Sequence, residues 1–420
     1  MMGHEPIWFV DGLTGETLTY ETLRKELAQP TVPLAGICRP ASSVAAVREV
    51  VKALCLGAEM ALLDPLQTDA EIRALDYAPE DLKKNHTFPG ISLPEDPAAW
   101  WEHIGSRQGF RLTLFTSGTT GHPKKAVHSL EHLTRMVRRR PAHRSSVWAM
   151  SYHPTHIAGL QVLLQALSNG NPLIGLHGSE PEKVSSLLTE AQVTHMAGSP
   201  SFFRLLPSGP KPISHLRSVT LGAEPARPED FVHLQTLFPQ ARLRNAYAST
   251  EAGTLLLGEG ELFQIPKENQ ALVKIIDEQI HVAASLWQAR EGEPPVGEWV
   301  PTGDRIDWVQ DRPGWFRILG RGGDFISTGG WQVNPLEVEA CLREIPEVLD
   351  CRVYGRPNSL LGQVVAADLV VDPAHAELDD GAVRRFLAER LQDYKLPRFL
   401  RRVGEIPRTR TGKIQRTSHE

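Results

Sequence analysis

The segment Thr116-Ser117-Gly118-Thr119-Thr120-Gly121-His122-Pro123-Lys124 carries the residue types that a bound phosphate needs. Small residues let backbone N–H groups approach phosphate oxygens, hydroxyls donate further hydrogen bonds, and Lys124 adds positive charge. A Ser/Thr/Gly stretch alone is more often an ordinary turn, but a run of small and hydroxyl residues ending in Pro-Lys is far less common. It is not a Walker A loop, because the Gly-Lys step required five residues after Gly118 is occupied by Pro123 and Lys124. The chain also lacks the GxSxG elbow of hydrolases and the HExxH zinc helix.

Such a loop has to be held by regular elements. Leu112–Phe115 reads as an apolar strand entering it, and a helical stretch is expected after it. Helical spacing over Ser43–Leu56 ends at Gly57, and Ala61–Leu63 reads as a short buried strand closed by Asp64-Pro65. Val147–Met150 and Ser218–Leu221 read as further strands, and Ile157–Leu167 as a helix. Strands alternating with helices predict parallel sheets with crossover helices. After about residue 260 the texture changes. Val273–Ile276 and Gln279–Ala283 read as a hairpin around Asp277-Glu278. Pro335–Glu344 and Asp379–Leu391 read as helices, and Val348–Tyr354 and Val364–Val371 as strands. The expectation is an α/β chain whose large N-terminal domain of stacked sheets and helices spans 1–321. A hinge at Gly322-Gly323, where two glycines allow large backbone changes, then leads to a small α+β domain over 324–420.

A chain of 420 residues can bury a large core without disulfide or metal staples. Its net charge of −5 excludes a globally basic nucleic-acid binder. From Lys395 onward, however, eight Lys/Arg face only Glu405 and Glu420, a positive tail suited to an anionic small molecule or left as a solvated face. The four cysteines Cys38, Cys55, Cys341 and Cys351 show no CxxC spacing. Their scarcity, with no secretory or membrane-spanning run, points to a cytoplasmic location.

The loop resembles the TSGTTGxPKG signature of the acyl-adenylate-forming superfamily, which includes acyl- and aryl-CoA synthetases, peptide-synthetase adenylation domains and luciferases. The match holds through Lys124 and departs at Lys125, where the family usually has Gly. Further motifs follow in the family's order. Leu18-Thr-Tyr-Glu-Thr-Leu23 resembles the opening motif, and Leu56–Pro65 resembles the AGAxxxPLDP segment. Leu221-Gly222-Ala223-Glu224-Pro225 resembles the loop that packs on adenine. Asn245-Ala246-Tyr247-Ala248-Ser249-Thr250-Glu251 resembles NxYGxTE, with Ala248 for Gly. Pro301-Thr-Gly-Asp304 resembles the TGD element, and the segment from Gly320-Arg321 to Glu339 resembles GRxxDxI…GxxVxPxEVE. Pro407–Lys413 resembles the terminal PxTxxGK. The resemblance spans nearly the whole chain, although the stretch between Leu257 and Val300 looks trimmed.

The resemblance implies a two-step reaction. A carboxylate attacks the α-phosphorus of ATP to give an acyl-adenylate and pyrophosphate, and a thiol then attacks the acyl carbon and releases AMP. Thr116, Ser117, Gly118, Thr119, Thr120, Gly121 and Lys124 would hold the β- and γ-phosphates. Gly222, Ala223, Glu224, Asn245, Ala246 and Tyr247 would hold adenine, with Asp304 and Arg321 at the ribose. Glu251 would ligate Mg2+, a hard cation that prefers carboxylate oxygen, and Thr250 would bond a phosphate oxygen. Ser249-Thr250 before Glu251 is equally the chemistry of a helix N-terminus. Lys413, which composition alone would leave as one basic residue in a tail, would bridge the carboxylate and the α-phosphate. The domain swing would exchange Lys413 for Gly329-Gly330-Trp331, lining a pantetheine tunnel.

His156, in His153-Pro-Thr-His-Ile-Ala-Gly-Leu160, would gate the acyl pocket. No residue of that segment is acidic, so a substrate ammonium would lack a partner there and α-amino acids are disfavoured. The reading is an aryl or short-to-medium acyl acid joined to CoA, with the o-succinylbenzoate-CoA ligases a similar short branch. One alternative is a stand-alone enzyme loading the phosphopantetheine of an acyl carrier protein. Another is a non-catalytic nucleotide-binding relative, suggested by the departures at Lys125, Ala248 and Gly323.

Overall fold

The computed structural model describes the chain except residues 1–6, 66, 68–71, 74, 76, 117–123, 208–211, 224–225, 250–251, 288–296, 322–325, 329–330, 359–360, 376–377, 392, 409–413 and 415–420. Contacts divide it into two compact units, Met1–Lys274 with Val282–Val300, and Ile275–His281 with Pro301–Glu420.

The first unit is built on a sheet whose central strands are all parallel. Ile7–Asp11, Leu173–Gly175, Trp148–Met150, His195–Gly198, Ser218–Gly222 and Arg242–Ser249 lie side by side in that order. Thr17–Thr19 closes one end as an antiparallel strand, and at the other side Gly253–Glu259 and then Leu262–Gln264 add antiparallel. Parallel strands are buried on both faces, and successive residues show it. Ala149 joins one apolar cluster and Met150 another. One face packs against Ile157–Ser168 and Ser43–Leu56 through Leu160, Leu163, Val47 and Leu54. The other packs against Pro181–Glu190 and Pro228–Leu237 through Val184, Leu188 and Leu234.

The Ser43–Leu56 helix starts and stops where its sequence dictates. The Ser42 hydroxyl accepts the Ala45 N–H at 3.2 Å. Gly57 ends the helix in the left-handed region at φ +68°, where a Cβ would also stand 2.9 Å from the Gln108 carbonyl. A second sheet runs Ile37–Cys38, Glu59–Leu62 and Arg111–Thr116 in parallel, with Lys124–Ser129 antiparallel at its edge.

From Pro301 on, the second unit holds the antiparallel pair of Trp299–Trp308 and Trp315–Arg321. It continues as a sheet of Trp331–Val333, Ile326–Thr328, Gly362–Val371 and Val348–Asn358, to which Phe399–Arg402 adds in parallel. Helices Pro335–Arg343 and Asp380–Ala388 cover it with Val338, Leu342, Val383 and Leu387. This is the small α+β fold expected of the C-terminal region. Gly322 and Gly323 lie outside the described residues. Among the described residues no helix is long and apolar enough to cross a membrane.

Candidate active site

The phosphate-type loop is framed by a hairpin. Arg111–Thr116 pairs antiparallel with Lys124–Ser129, and Thr116 stands directly opposite Lys124. Ser117, Gly118, Thr119, Thr120 and Gly121, the remaining phosphate residues, lie outside the described residues. The expectation that a helix follows the loop is corrected here. Lys124–Ser129 is a strand, and the helix Leu130–Thr134 begins only after it, capped by Ser129. The reason is a period of two, with Ala126 and His128 buried and Val127 exposed between them. Lys125, which replaces the usual glycine, places its ammonium 5.0 Å above the Tyr77 ring.

The adenine-type segments end adjacent parallel strands, with Leu221 opposite Asn245 and Gly222 opposite Ala246. A Cβ on Gly222 would sit 3.4 Å from both the Ala246 Cβ and the Tyr152 hydroxyl, so small residues form a flat ledge there. Ala223 leaves the ledge at φ +68°, a conformation that costs a non-glycine residue energy and recurs at binding sites. Asn245 is buried and Tyr247 half-buried. Ala248 sits where the register with Gly253–Glu259 slips, and it is not among the residues with positive φ. The alanine therefore fits without strain.

Ser249 Oγ accepts the Ala252 N–H at 3.1 Å; Thr250 and Glu251 between them lie outside the described residues, as does Glu224. A strand, Gly253–Glu259, follows, so the helix-capping reading of Ser249–Glu251 falls away.

His156 precedes the Ile157–Ser168 helix, its carbonyl accepting the Leu160 N–H. The helix closes tightly on the preceding turn: a Cβ on Gly159 would stand 2.3 Å from the His153 carbonyl oxygen. The sequence segment is free of acid, but the fold brings Asp64 from the end of another strand, and its Oδ2 lies 3.5 Å from His156 Nε2. The argument from missing acid is thus corrected, although this carboxylate already faces an imidazole. Sequence reading gave Asp64 no role; its position just past a parallel strand was the available signal. His153 and His177 complete the group, with ring centroids 5.1 Å apart. Nδ1 of His153 accepts the Thr155 N–H and lies 2.7 Å from the Thr155 hydroxyl, so its proton sits on Nε2. Burial pushes His153 down to about 4. Burial also lowers His156 and His177, with the Asp64 charge acting in the opposite direction on both.

In the second unit, Asp304 stands directly opposite Arg321 across the antiparallel pair. Asp304 is buried, and its N–H is fixed by the Thr302 hydroxyl at 3.1 Å. Thr328 pairs with Trp331, with Gly329 and Gly330 between them in sequence and outside the described residues. Arg408 and Ile414 form an antiparallel bridge on either side of 409–413, the undescribed stretch that contains Lys413.

Comparison with known proteins agrees with this arrangement. The chain is 28% identical over 371 residues to the mouse mitochondrial acyl-coenzyme A synthetase ACSM5, covering 76% of this chain and 63% of that protein. It therefore spans about three fifths of that relative's length. It is also 28% identical over 344 residues to the 2-succinylbenzoate–CoA ligase of Geobacillus kaustophilus, covering 72% and 67%. The fold matches the o-succinylbenzoate coenzyme A synthetase MenE of Bacillus subtilis, solved with ATP and magnesium ion. That match has a TM-score of 0.72 at 18% identity over 98% of this chain and 96% of that one. A family model described as AMP-binding enzyme matches residues 40–278, and its C-terminal-domain counterpart matches residues 337–413. The first match alone takes in more than half of the chain, and with the ledge, loop and hairpin in the family's order the chain belongs to the AMP-binding enzyme family.

Proposed function

We propose that the chain is an AMP-forming acid–thiol ligase. The observation that carries this reading is the placement of the two adenine-type segments at the ends of adjacent parallel strands, with Gly222 opposite Ala246 and Tyr247 beside them. The carboxylate oxygen of the acid attacks the α-phosphorus of ATP, the bond to the β-phosphate oxygen breaks, and pyrophosphate leaves. A thiol sulfur then attacks the acyl carbon and AMP departs with the electron pair of the broken C–O bond. Such substitution requires positioning and charge neutralisation rather than covalent help from the protein.

Thr116 to Gly121 and Lys124 hold the β- and γ-phosphates, Asp304 and Arg321 bind the ribose hydroxyls, and Lys413 approaches the α-phosphate as charge develops. The Glu251 carboxylate is a hard-oxygen ligand suited to Mg2+, and the Thr250 hydroxyl would bond a phosphate oxygen. Bound there, the ion neutralises phosphate charge. His156, held neutral by burial and oriented by Asp64, borders the acyl side. The hinge at Gly322-Gly323 lets Gly329-Gly330-Trp331 replace Lys413 for the thiol step.

The acid is an aryl or short-to-medium acyl acid and the thiol is CoA. The test is pyrophosphate release over a panel of carboxylic acids with ATP and Mg2+. Thioester formation is then measured with CoA or with a phosphopantetheinylated carrier protein. Release that depends on one acid class, followed by acyl-CoA, is expected; ATP binding with no acid-dependent release would overturn the reading.

A further inference from the structure

A second group of charges lies at the opposite edge of the first unit's sheet, where the parallel strands begin. Trp148 starts one strand and His195 the next, paired in register with their rings stacked at 4.6 Å. His143 packs edge-on to His195 at 5.4 Å, held by the 3-10 turn Pro141–His143, which Arg140 precedes. In the same row His195 stands opposite Ser218 and Ser218 opposite Arg242. Arg217 is tied between them, its N–H donating to the Thr194 carbonyl and its carbonyl accepting the Arg242 N–H. Arg244 lies two residues along the Arg242 strand, on the same face.

The charge here is unbalanced. Arg242 is answered by Glu259 at 2.5 Å. Among the described residues, the guanidiniums of Arg140, Arg217 and Arg244 have no ion-pair or hydrogen-bond partner. Nδ1 of His143 is buried and also has none. Arg244 is half-buried. Burial and the neighbouring arginines lower its pKa, while Glu259, its cross-strand neighbour, acts in the opposite direction; burial and the arginines also lower His143 and His195. Half-burying a guanidinium among like charges is unfavourable unless a counter-ion shares the site. Guanidinium forks match phosphate oxygens geometrically, and the Trp148–His195 stack provides an apolar wall beside them.

We propose that Arg140, Arg217 and Arg244, with His143 and the Trp148–His195 stack, form a second anion site that binds a phosphate group, at the opposite sheet edge from the adenine ledge. It stands independently of the ligase reading. The phosphate is that of a free phosphate ester or polyphosphate, or that of a lipid headgroup, and the test separates these.

Calorimetry with inorganic tripolyphosphate at low salt is run on the wild type, on Arg140→Gln/Arg217→Gln/Arg244→Gln and on Lys124→Ala. Sedimentation with phosphatidylcholine vesicles, with and without phosphatidic acid, is run on the same proteins. Replacing these arginines breaks no ion pair or hydrogen bond among the described residues, so the triple variant should melt no lower than the wild type. The single Arg140→Gln variant, on an exposed turn, serves as the milder check. Expected is a tripolyphosphate site weakened at least tenfold in the triple variant, about threefold in Arg140→Gln, and kept in Lys124→Ala. Loss of phosphatidic acid binding alone would assign the site to a lipid phosphate. Equal binding of both probes by wild type and triple variant, or no binding by the wild type, overturns the proposal. Failure of the ligase reading would appear only in acid-dependent pyrophosphate release, which this experiment does not use.

Discussion

The Asp64 carboxylate stands 3.5 Å from His156 Nε2, joining the end of a strand in one sheet to the residue that opens a helix on the other. At that distance the contact is electrostatic rather than a well-formed hydrogen bond. It favours the tautomer with the proton on Nε2 and raises an imidazole pKa that burial otherwise lowers. Replacing Asp64 by Asn removes the raising influence. The acid limb of the kcat/KM profile should shift toward lower pH. An unmoved limb would mean that Asp64 does not tune His156.

Lys413→Ala should lower acid-dependent pyrophosphate release on the order of 10²-fold or more, as when a preorganised transition-state charge is removed. Thiolysis of a supplied acyl-adenylate should be spared. Gly330→Leu should behave in reverse, with adenylate forming but thioester blocked. Single-turnover assays of each half reaction check both; equal losses in the two halves would contradict a swinging domain.

Asp304 and Arg321 stand opposite each other in register across their antiparallel pair. Asp304→Asn and Arg321→Ala should each weaken ATP binding about tenfold, the scale of a charge-assisted hydrogen bond. The double variant should lose less than the sum, because the two act together. Fully additive losses in calorimetric ATP titrations would separate their roles.

Ala223 occupies left-handed space at φ +68°. Ala223→Gly should stabilise the fold by about 1 kcal/mol by relieving the Cβ clash. Ala223→Val should destabilise it instead. Denaturant unfolding reads both, and a destabilised glycine variant would show that the alanine methyl contributes packing.

Buried histidines make the protein sensitive to acid. His128 is fully buried with neither ring nitrogen bonded among the described residues, and burial pushes it down to about 3. The unfolded chain protonates it near 6.5, so between about 6.5 and 3 the unfolded state binds the extra proton. Its contribution is therefore complete above 6.5 and is lost as the pH falls, at about 1.4 kcal/mol per pH unit. His128→Leu should flatten the fall in melting temperature between pH 6.5 and 4. An unchanged slope would place the acid sensitivity elsewhere.

Much of this protein is readable one neighbourhood at a time. Ser42 and Gly57 bound their helix through hydrogen bonds and dihedrals that involve only nearby residues. Asp277 and Glu278, both at positive φ, make the tight hairpin turn expected between their strands. The adenylate motifs are legible for the same reason: each is a short run whose chemistry lies in its own side chains and backbone.

What sequence alone left open are meetings between distant segments. Lys124–Ser129 reads as the start of a helical stretch until Arg111–Thr116 offers it a ladder of hydrogen bonds. Asp64 meets His156, and Arg217 comes between His195 and Arg242, only because strand order and crossovers bring those ends together. Neighbouring residues fix local dihedrals, whereas the burial of apolar faces across the whole sheet decides which strands become neighbours.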